Sequence, residues 1–81
     1  ESSNTITIYP NPFRDEATLD FGKKVNKASV VITDMYGKQI TEYEVINQQS
    51  VVIDGHNMAK GLYFVNVEVG KSITFYKVIL H

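Results

Sequence analysis

The sequence predicts an all-β fold, a seven-stranded antiparallel β-sandwich of immunoglobulin-like topology. Val, Ile, Thr, Tyr and Phe recur in short runs, and Gly, Pro, Asn and Asp separate these runs at intervals of about eight to twelve residues. No stretch carries an apolar stripe at helical spacing for three turns. Short strands at such regular spacing are typical of two packed sheets.

The first two strands follow from alternation and from the prolines between them. Ile6 and Ile8 alternate with polar residues over 5–9, and Tyr9-Pro10-Asn11-Pro12 must end that strand because proline lacks a backbone donor. A second strand ends at Gly22 and the two lysines after it. Its apolar face consists of Ala17, Leu19 and Phe21.

The middle of the chain contains three shorter predicted strands. The third has Ala28, Val30 and Ile32 on its inward face and ends at the turn Asp34-Met35-Tyr36-Gly37-Lys38. In that turn we expect Asp34 to accept backbone hydrogen bonds and Gly37 to take a positive φ. The fourth strand covers 39–46, the polar turn 47–49 follows, and a brief fifth strand covers 51–53 and ends at Asp54-Gly55.

The last two strands form a hairpin. Residues 61–69 and 72–80 are rich in β-forming residues, and the tight turn Gly70-Lys71 joins them. In the crossover before the hairpin, Met58 and Tyr63 have the spacing of a corner motif. We expect Met58 to anchor the crossover and the Tyr63 hydroxyl to bond back to its backbone.

Size and composition limit the domain count and the partners. The 81 residues suffice for one domain, which we place at 5–81, and the small polar residues 1–4 suit the end of a linker in a longer protein. A net charge of −1 means that the chain lacks the excess of positive charge that binds a phosphate backbone, so nucleic acid is not an expected partner. Cysteine is absent, which excludes disulfides and thiolate metal sites. No apolar run approaches the roughly 20 residues of a membrane helix, so we expect no membrane insertion.

The residues that catalysis would need are present only in isolation. His56 and His81 are the only histidines, and neither lies in a recognisable catalytic motif. A catalytic carboxylate pair could be drawn from the acidic residues, but most of these are predicted on outward strand faces or in turns, where solvated charges are usual. Asp54 and His56 could share an ion, although two ligands make a weak site, and an Asp-Gly turn beside a solvated histidine is the other interpretation. We therefore expect no enzymatic activity, no cofactor and no metal.

The unusual feature is that the last hairpin is apolar on both faces. Either loops cover the second face, or the hairpin presents an apolar or edge-strand surface to a partner. The strand 61–69 carries Tyr63, Val65, Val67 and Val69 on one face and Leu62 and Phe64 on the other. The strand 72–80 carries Ile73, Phe75 and Ile79 on one face and Tyr76, Val78 and Leu80 on the other.

Three separated motifs together resemble the type A C-terminal sorting domain of type IX secretion. The first is Tyr9-Pro10-Asn11-Pro12-Phe13, and the second is Asp34-Met35-Tyr36-Gly37-Lys38-Gln39-Ile40. The third is Gly61-Leu62-Tyr63-Phe64-Val65 with Gly70-Lys71 and Lys77-Val78-Ile79. The resemblance covers nearly the whole chain, and all three motifs occur in the expected order.

This resemblance implies a signal that is covalently linked to an N-terminal cargo. The domain would fold in the periplasm, be recognised by the outer-membrane translocon, and direct its cargo to the cell surface or the extracellular space. A sortase-like peptidase would then cut at or upstream of residues 1–4. The domain is a substrate in this scheme, so the resemblance transfers no catalytic residue.

We expect translocon recognition to concentrate on the last hairpin and the other motif residues to hold the fold, although every motif residue also has a purely structural interpretation. The recognition candidates are Gly61, Tyr63, Phe64, Gly70, Lys71, Phe75, Lys77, Val78 and Ile79, and the structural ones are Tyr9, Pro10, Asn11, Pro12, Asp34 and Gly37. Two alternatives remain, a carbohydrate-binding or adhesive accessory module of a secreted enzyme and a passive spacer. The chain has no Trp to stack on sugars, and a spacer would continue past His81.

Overall fold

The computed structural model describes residues 6–81, and its regular structure is entirely β. The predicted linker end at 1–4, and the first residue of the predicted domain, lie outside the described residues. The strands are β1 (Thr7–Tyr9), β2 (Glu16–Asp34), β3 (Gln39–Asp54), β4 (Gly61–Val69) and β5 (Ser72–Leu80).

The structure has five strands where the sequence predicts seven, so the predicted strand count is not confirmed. β2 runs through the predicted second and third strands, and β3 runs through the fourth and fifth. Gly22 and Asn47, which were expected in turns, have positive φ values of 83° and 53°. There the β2–β3 pairing slips from Asp20–Ser50 to Val25–Gln48. Gly22 lies in this irregular bulge and Asn47 lies just beyond it, so both strands continue through residues that the sequence places at strand ends.

β2 is the strand that connects the whole sheet. The strand order is β1-β2-β4-β5, and β3 also pairs with β2. Before the bulge β2 pairs with β1 and with the end of β3, and after it β2 pairs with the start of β3 and with β4. The side chains of both halves enter one core, so the bent sheet folds over on itself.

The core is built from alternate residues of the strands, as the sequence predicts. The inward faces predicted for residues 17–21 and 28–32 are both buried. Within residues 6–81 the core contains no buried polar or charged residue, so burial of apolar surface is its main source of stability. The core residues are Phe13, Ala17, Leu19, Phe21, Val25, Ala28, Val30, Ile32, Val45, Ile53, Tyr63, Val65, Val67, Val78 and Leu80.

Two predicted turns have the expected hydrogen bonds. Asp34 Oδ1 accepts the backbone N–H groups of Tyr36 and Lys38, both at 2.9 Å, and Gly37 has a φ of 88°. In the crossover, the Tyr63 hydroxyl donates to the carbonyl oxygen of Ala59, and Met58 packs against the core. The predicted turn at Asp34 and the corner motif are both confirmed.

Gly55 lies where the crossover, residue 13 and the end of β5 meet. Its N–H donates to the Asp15 carbonyl at 2.8 Å. A Cβ at this position would lie 2.9 Å from Phe13 Cε2 and 3.3 Å from Leu80 Cδ1. Glycine is therefore required for the close approach of these three segments.

We predict that Gly55→Ala lowers the free energy of unfolding by about 1–3 kcal/mol, because the added methyl group overpacks the contact with Phe13. Urea denaturation measures the change. Ser50→Ala, at an exposed position of β3, serves as the control and should change stability by less than about 0.5 kcal/mol. A Gly55→Ala variant as stable as the control would contradict the packing described.

Candidate functional site

β5 has one buried face and one exposed apolar face. Val78 and Leu80 are buried at 1% and 3% exposure, whereas Ile73 and Phe75 are 59% and 68% exposed. Ile79 shares their face and is 43% exposed. The alternation predicted for the last strand is confirmed, and its second face is open to solvent rather than covered by loops.

β4 extends this exposed face by one strand. In the β4–β5 register Leu62 lies opposite Ile79 and Phe64 lies opposite Lys77. Both β4 residues are half-buried, and directly opposed side chains in an antiparallel pair are close enough to touch. We call these residues the apolar strip, which comprises Leu62, Phe64, Ile73, Phe75 and Ile79.

Polar residues border the apolar strip. Lys77 lies within it, Asn66 lies opposite Phe75, and Glu68 lies opposite Ile73. Lys71 is exposed in the turn between the two strands. Within residues 6–81, neither lysine has a carboxylate oxygen within 4.0 Å. The strip is therefore an apolar surface with free positive charge at its centre and at one end.

Residues 9–13, which we call the proline segment, pair with the outer edge of β5. Asn11 Nδ2 donates to the Lys77 carbonyl at 3.1 Å, and Asn11 Oδ1 accepts the Ile79 N–H at 3.2 Å. The Phe13 N–H donates to the Ile79 carbonyl at 2.8 Å, and its carbonyl accepts the His81 N–H at 2.9 Å.

This use of Asn11 is a role that the sequence analysis missed. Pro10 and Pro12 carry no N–H, so the backbone at those positions has no donor for a neighbouring strand. The Asn11 side chain supplies both a donor and an acceptor instead. The position of Asn11 between two prolines was the sequence feature that could have indicated this role. Its hydrogen-bond partners, however, lie 66 and 68 residues away along the chain.

The recognition candidates fall into two groups. Phe64, Phe75, Lys77 and Ile79 lie on the outer face of the hairpin, and Gly61, Gly70 and Lys71 are exposed at its ends. Tyr63 and Val78 lie in the core, at 6% and 1% exposure. These two side chains are inaccessible to a partner in the folded domain, and they hold the hairpin in place.

The residues expected to be structural lie at the surface around the proline segment and in the turn after β2. Pro10, Asn11 and Pro12 are exposed, and Tyr9 ends β1 at 49% exposure. Of these residues, Asn11 hydrogen-bonds to β5, while Asp34 and Gly37 shape the turn described above. The proline segment thus ends one strand and supports another.

Asp54 and His56 form a hydrogen-bonded pair in an exposed turn. Asp54 Oδ1 lies 2.6 Å from His56 Nδ1 and accepts the His56 backbone N–H at 2.9 Å. Asp15 Oδ1 lies 4.0 Å from His56 Nε2. No group of three or more His, Asp or Glu side chains placed to hold a metal ion occurs within residues 6–81. The geometry is that of an Asp-Gly turn beside an exposed histidine.

The two pKa values of this pair move apart. The hydrogen bond to the Asp54 carboxylate, with its negative charge, raises the pKa of His56 above its ordinary 6.5, and the charges of Asp15 and Glu16 add to this. Hydrogen bonds from the His56 backbone and ring lower the pKa of Asp54 below 3.8. The charged forms of both residues are favoured together.

None of residues 6–81 forms a helix of the length and hydrophobicity that a membrane span requires.

Comparisons with known proteins agree with this architecture. A family model described as "Secretion system C-terminal sorting domain" matches residues 7–81. A comparison with curated proteins finds no match. Among solved structures, the chain is similar to a DUF3244 family protein with an immunoglobulin-like β-sandwich fold from Bacteroides vulgatus ATCC 8482, with a TM-score of 0.70 and 18% identity over 89% of this chain and 82% of that one. This likeness shows the immunoglobulin-like sandwich fold.

We predict that Asn11→Ala speeds hydrogen exchange at the Ile79 amide by about fivefold, because one hydrogen bond is worth roughly 1 kcal/mol. The Ile79 N–H then loses its acceptor. Asn11→Asp is the matched control, since it keeps an acceptor oxygen for Ile79 and should keep that amide protected. NMR measures the exchange rate of the Ile79 amide. Equal rates in Asn11→Ala and the unaltered domain would show that the Asn11 side chain does not protect this amide.

We predict that the His56 ring titrates above pH 6.5 and that Asp54→Asn moves its midpoint back toward 6.5. Because the pKa of His56 is higher in the folded state than its ordinary 6.5, protonation of His56 stabilises the folded domain. This stabilisation is complete below pH 6.5 and is lost as pH rises through the folded-state pKa. NMR titration of the imidazole measures this midpoint. Asp15→Asn should lower it less, and a midpoint unmoved by Asp54→Asn would refute the pairing.

Proposed function

Because the chain belongs to the family of secretion system C-terminal sorting domains, we propose that it is the type IX secretion signal of a cargo protein joined to its N-terminus. The outer-membrane translocon recognises and binds the folded domain. The cargo passes through the periplasm and reaches the cell surface or the extracellular space.

The exposed apolar strip is the observation that carries this proposal. A domain of this size buries only a modest share of its surface on folding. Each large apolar side chain that stays exposed to solvent therefore contributes little to the stability of the hydrophobic core. Phe75 and Ile73 are nevertheless 68% and 59% exposed in one strand. A row of such residues rimmed by polar ones is typical of a surface that another protein covers.

We further propose that a sortase-like peptidase removes the domain by cutting in or before residues 1–4. Glu1-Ser2-Ser3-Asn4 is small and polar, a composition that a protease can accommodate in extended form. The domain itself takes no catalytic part. Its one hydrogen-bonded acid–histidine pair, within residues 6–81, is Asp54 with His56, and both side chains are exposed in a turn.

The carbohydrate-binding alternative has less support from the placement of the tyrosines, the aromatic residues whose hydroxyl groups could also hydrogen-bond to a sugar. Sugar-binding surfaces need aromatic faces grouped in the open. Tyr63 is buried, and Tyr43 and Tyr76 are partly buried against the core. Exposed Tyr9 and Tyr36 lie in different elements, at the end of β1 and in the turn after β2.

We predict that residues 1–81, fused to the C-terminus of a reporter with its own inner-membrane signal, send the reporter out of a type IX-competent cell. The same fusion should stay in the periplasm of a strain that lacks the translocon. Phe75→Lys and Ile79→Lys should each reduce the exported fraction by about tenfold or more, because a charge replaces an apolar contact at a binding surface.

Val52→Lys is the matched control, because Val52 is 46% exposed and Ile79 is 43% exposed, but Val52 lies on β3. It should leave export unchanged. Thermal unfolding of all three variants checks that they fold. Deleting residues 72–81 is a poorer test, since it removes Val78 and Leu80 from the core. Retention of the unaltered fusion in the competent cell would refute the proposed function.

A further inference from the structure

The outer edge of β5 is occupied along only part of its length. At its C-terminal end, outward groups of Lys77, Ile79 and His81 pair with the proline segment. In an antiparallel strand, alternate residues direct both backbone polar groups to the same side. The odd-numbered residues of β5 therefore direct their N–H and C=O groups away from β4.

The N-terminal end of the same edge is open. Thr74 pairs with Val67, and by the alternation above its backbone groups point toward β4. Ile73 and Phe75 direct theirs outward, and within residues 6–81 no strand or bridge pairs with them. We call residues 72–76 the open stretch of β5.

The open stretch itself carries none of the features that usually protect an edge strand, and the nearest charges are Lys71 and Lys77 on either side of it. Such strands are commonly blunted by proline, by a bulge or by a charge within the strand. Ser72-Ile73-Thr74-Phe75-Tyr76 contains none of these residues, and its register with β4 is unbroken. The other end of the same edge pairs with the proline segment, which shows that the outward backbone groups of β5 are able to hydrogen-bond to a further chain segment.

The surroundings of the open stretch are basic. Lys71 precedes it and Lys77 follows it, and within residues 6–81 neither is ion-paired. Lys23 lines a cleft of about 280 Å³ together with Ser72 and Thr74. The only carboxylate on β4 or β5 is Glu68, one strand inward.

From these observations we infer that an extended segment of the translocon adds to β5 as a new edge strand along the open stretch. The inference rests on the proposed function and identifies how the signal is read. The incoming backbone exchanges hydrogen bonds with Ile73 and Phe75, and its apolar side chains extend the apolar strip. Acidic residues on the same segment face Lys71 and Lys77.

Proline at position 75 tests the backbone part of this inference. The Phe75 N–H points outward, so Phe75→Pro removes a donor from the edge without removing a bond to β4. Phe75→Ala removes the same side chain and keeps the donor. Binding of each labelled domain to the purified outer-membrane translocon in detergent is measured by fluorescence anisotropy.

We expect Phe75→Pro to bind about fivefold more weakly than Phe75→Ala, since the two variants differ by one backbone hydrogen-bond donor at this edge and one such bond is worth roughly 1 kcal/mol. Lys77→Glu should also weaken binding by about tenfold, whereas Lys60→Glu, beyond the opposite end of the hairpin, should not. Thermal unfolding confirms that each variant is folded. Equal affinities of the proline and alanine variants would overturn strand addition.

Hydrogen exchange gives a second readout with the unaltered domain. The Ile73 and Phe75 amides should exchange at least about tenfold more slowly in the saturated complex than in the free domain. Unchanged exchange at both amides overturns the inference, even when the reporter fusion is exported normally. Failure of export by the unaltered fusion counts instead against the proposed function.

Two other occupants of the edge would be recognised directly. A second copy of this chain would appear in sedimentation as a dimer that Phe75→Pro dissociates. A segment of the same chain would protect the Phe75 amide in the free domain, and deleting residues 1–5 would remove that protection. Either result overturns the inference that the translocon supplies the strand.

Discussion

The bend in β2 is the constraint on which the rest of the structure depends. This strand pairs with β1, β3 and β4, and its two segments lie on either side of a bulge that contains Gly22. A straight strand of its length would support a flat sheet with one face unburied. Because the chain bends there, two faces of one continuous sheet close over a common core, and β4 then positions β5 at an edge.

Local patterns predicted the parts of the fold that depend on near neighbours. Period-two alternation identified both faces of β5, and turn chemistry identified the roles of Asp34 and Gly37, since these depend on residues a few positions apart. The predicted count of seven strands was not confirmed, because Gly22 suits a bulge as well as a turn and β3 continues through Asn47. Local sequence does not distinguish the two; the resumed pairing beyond the bulge does.

The candidate site was predictable in position but not in mechanism. The apolar residues of the last hairpin were apparent from alternation, and the structure separates exposed Phe75 from buried Tyr63 and Val78. What the sequence could not reveal is the occupied half of the β5 edge. That pairing joins Asn11 to Lys77 and Ile79 across almost the entire chain, and no periodicity encodes so distant a contact.

The contact between the proline segment and β5 joins the earliest and latest parts of the domain to emerge from the ribosome. The C-terminal end of β5 gains its outer hydrogen-bond partners only when residues 11 and 13, near the start of the domain, are already in position. A truncated or misfolded chain cannot reproduce that arrangement. The backbone geometry at this end of β5 thus depends on both ends of the domain being in place, and under the proposed function a translocon that binds β5 would also discriminate against chains in which that contact has not formed.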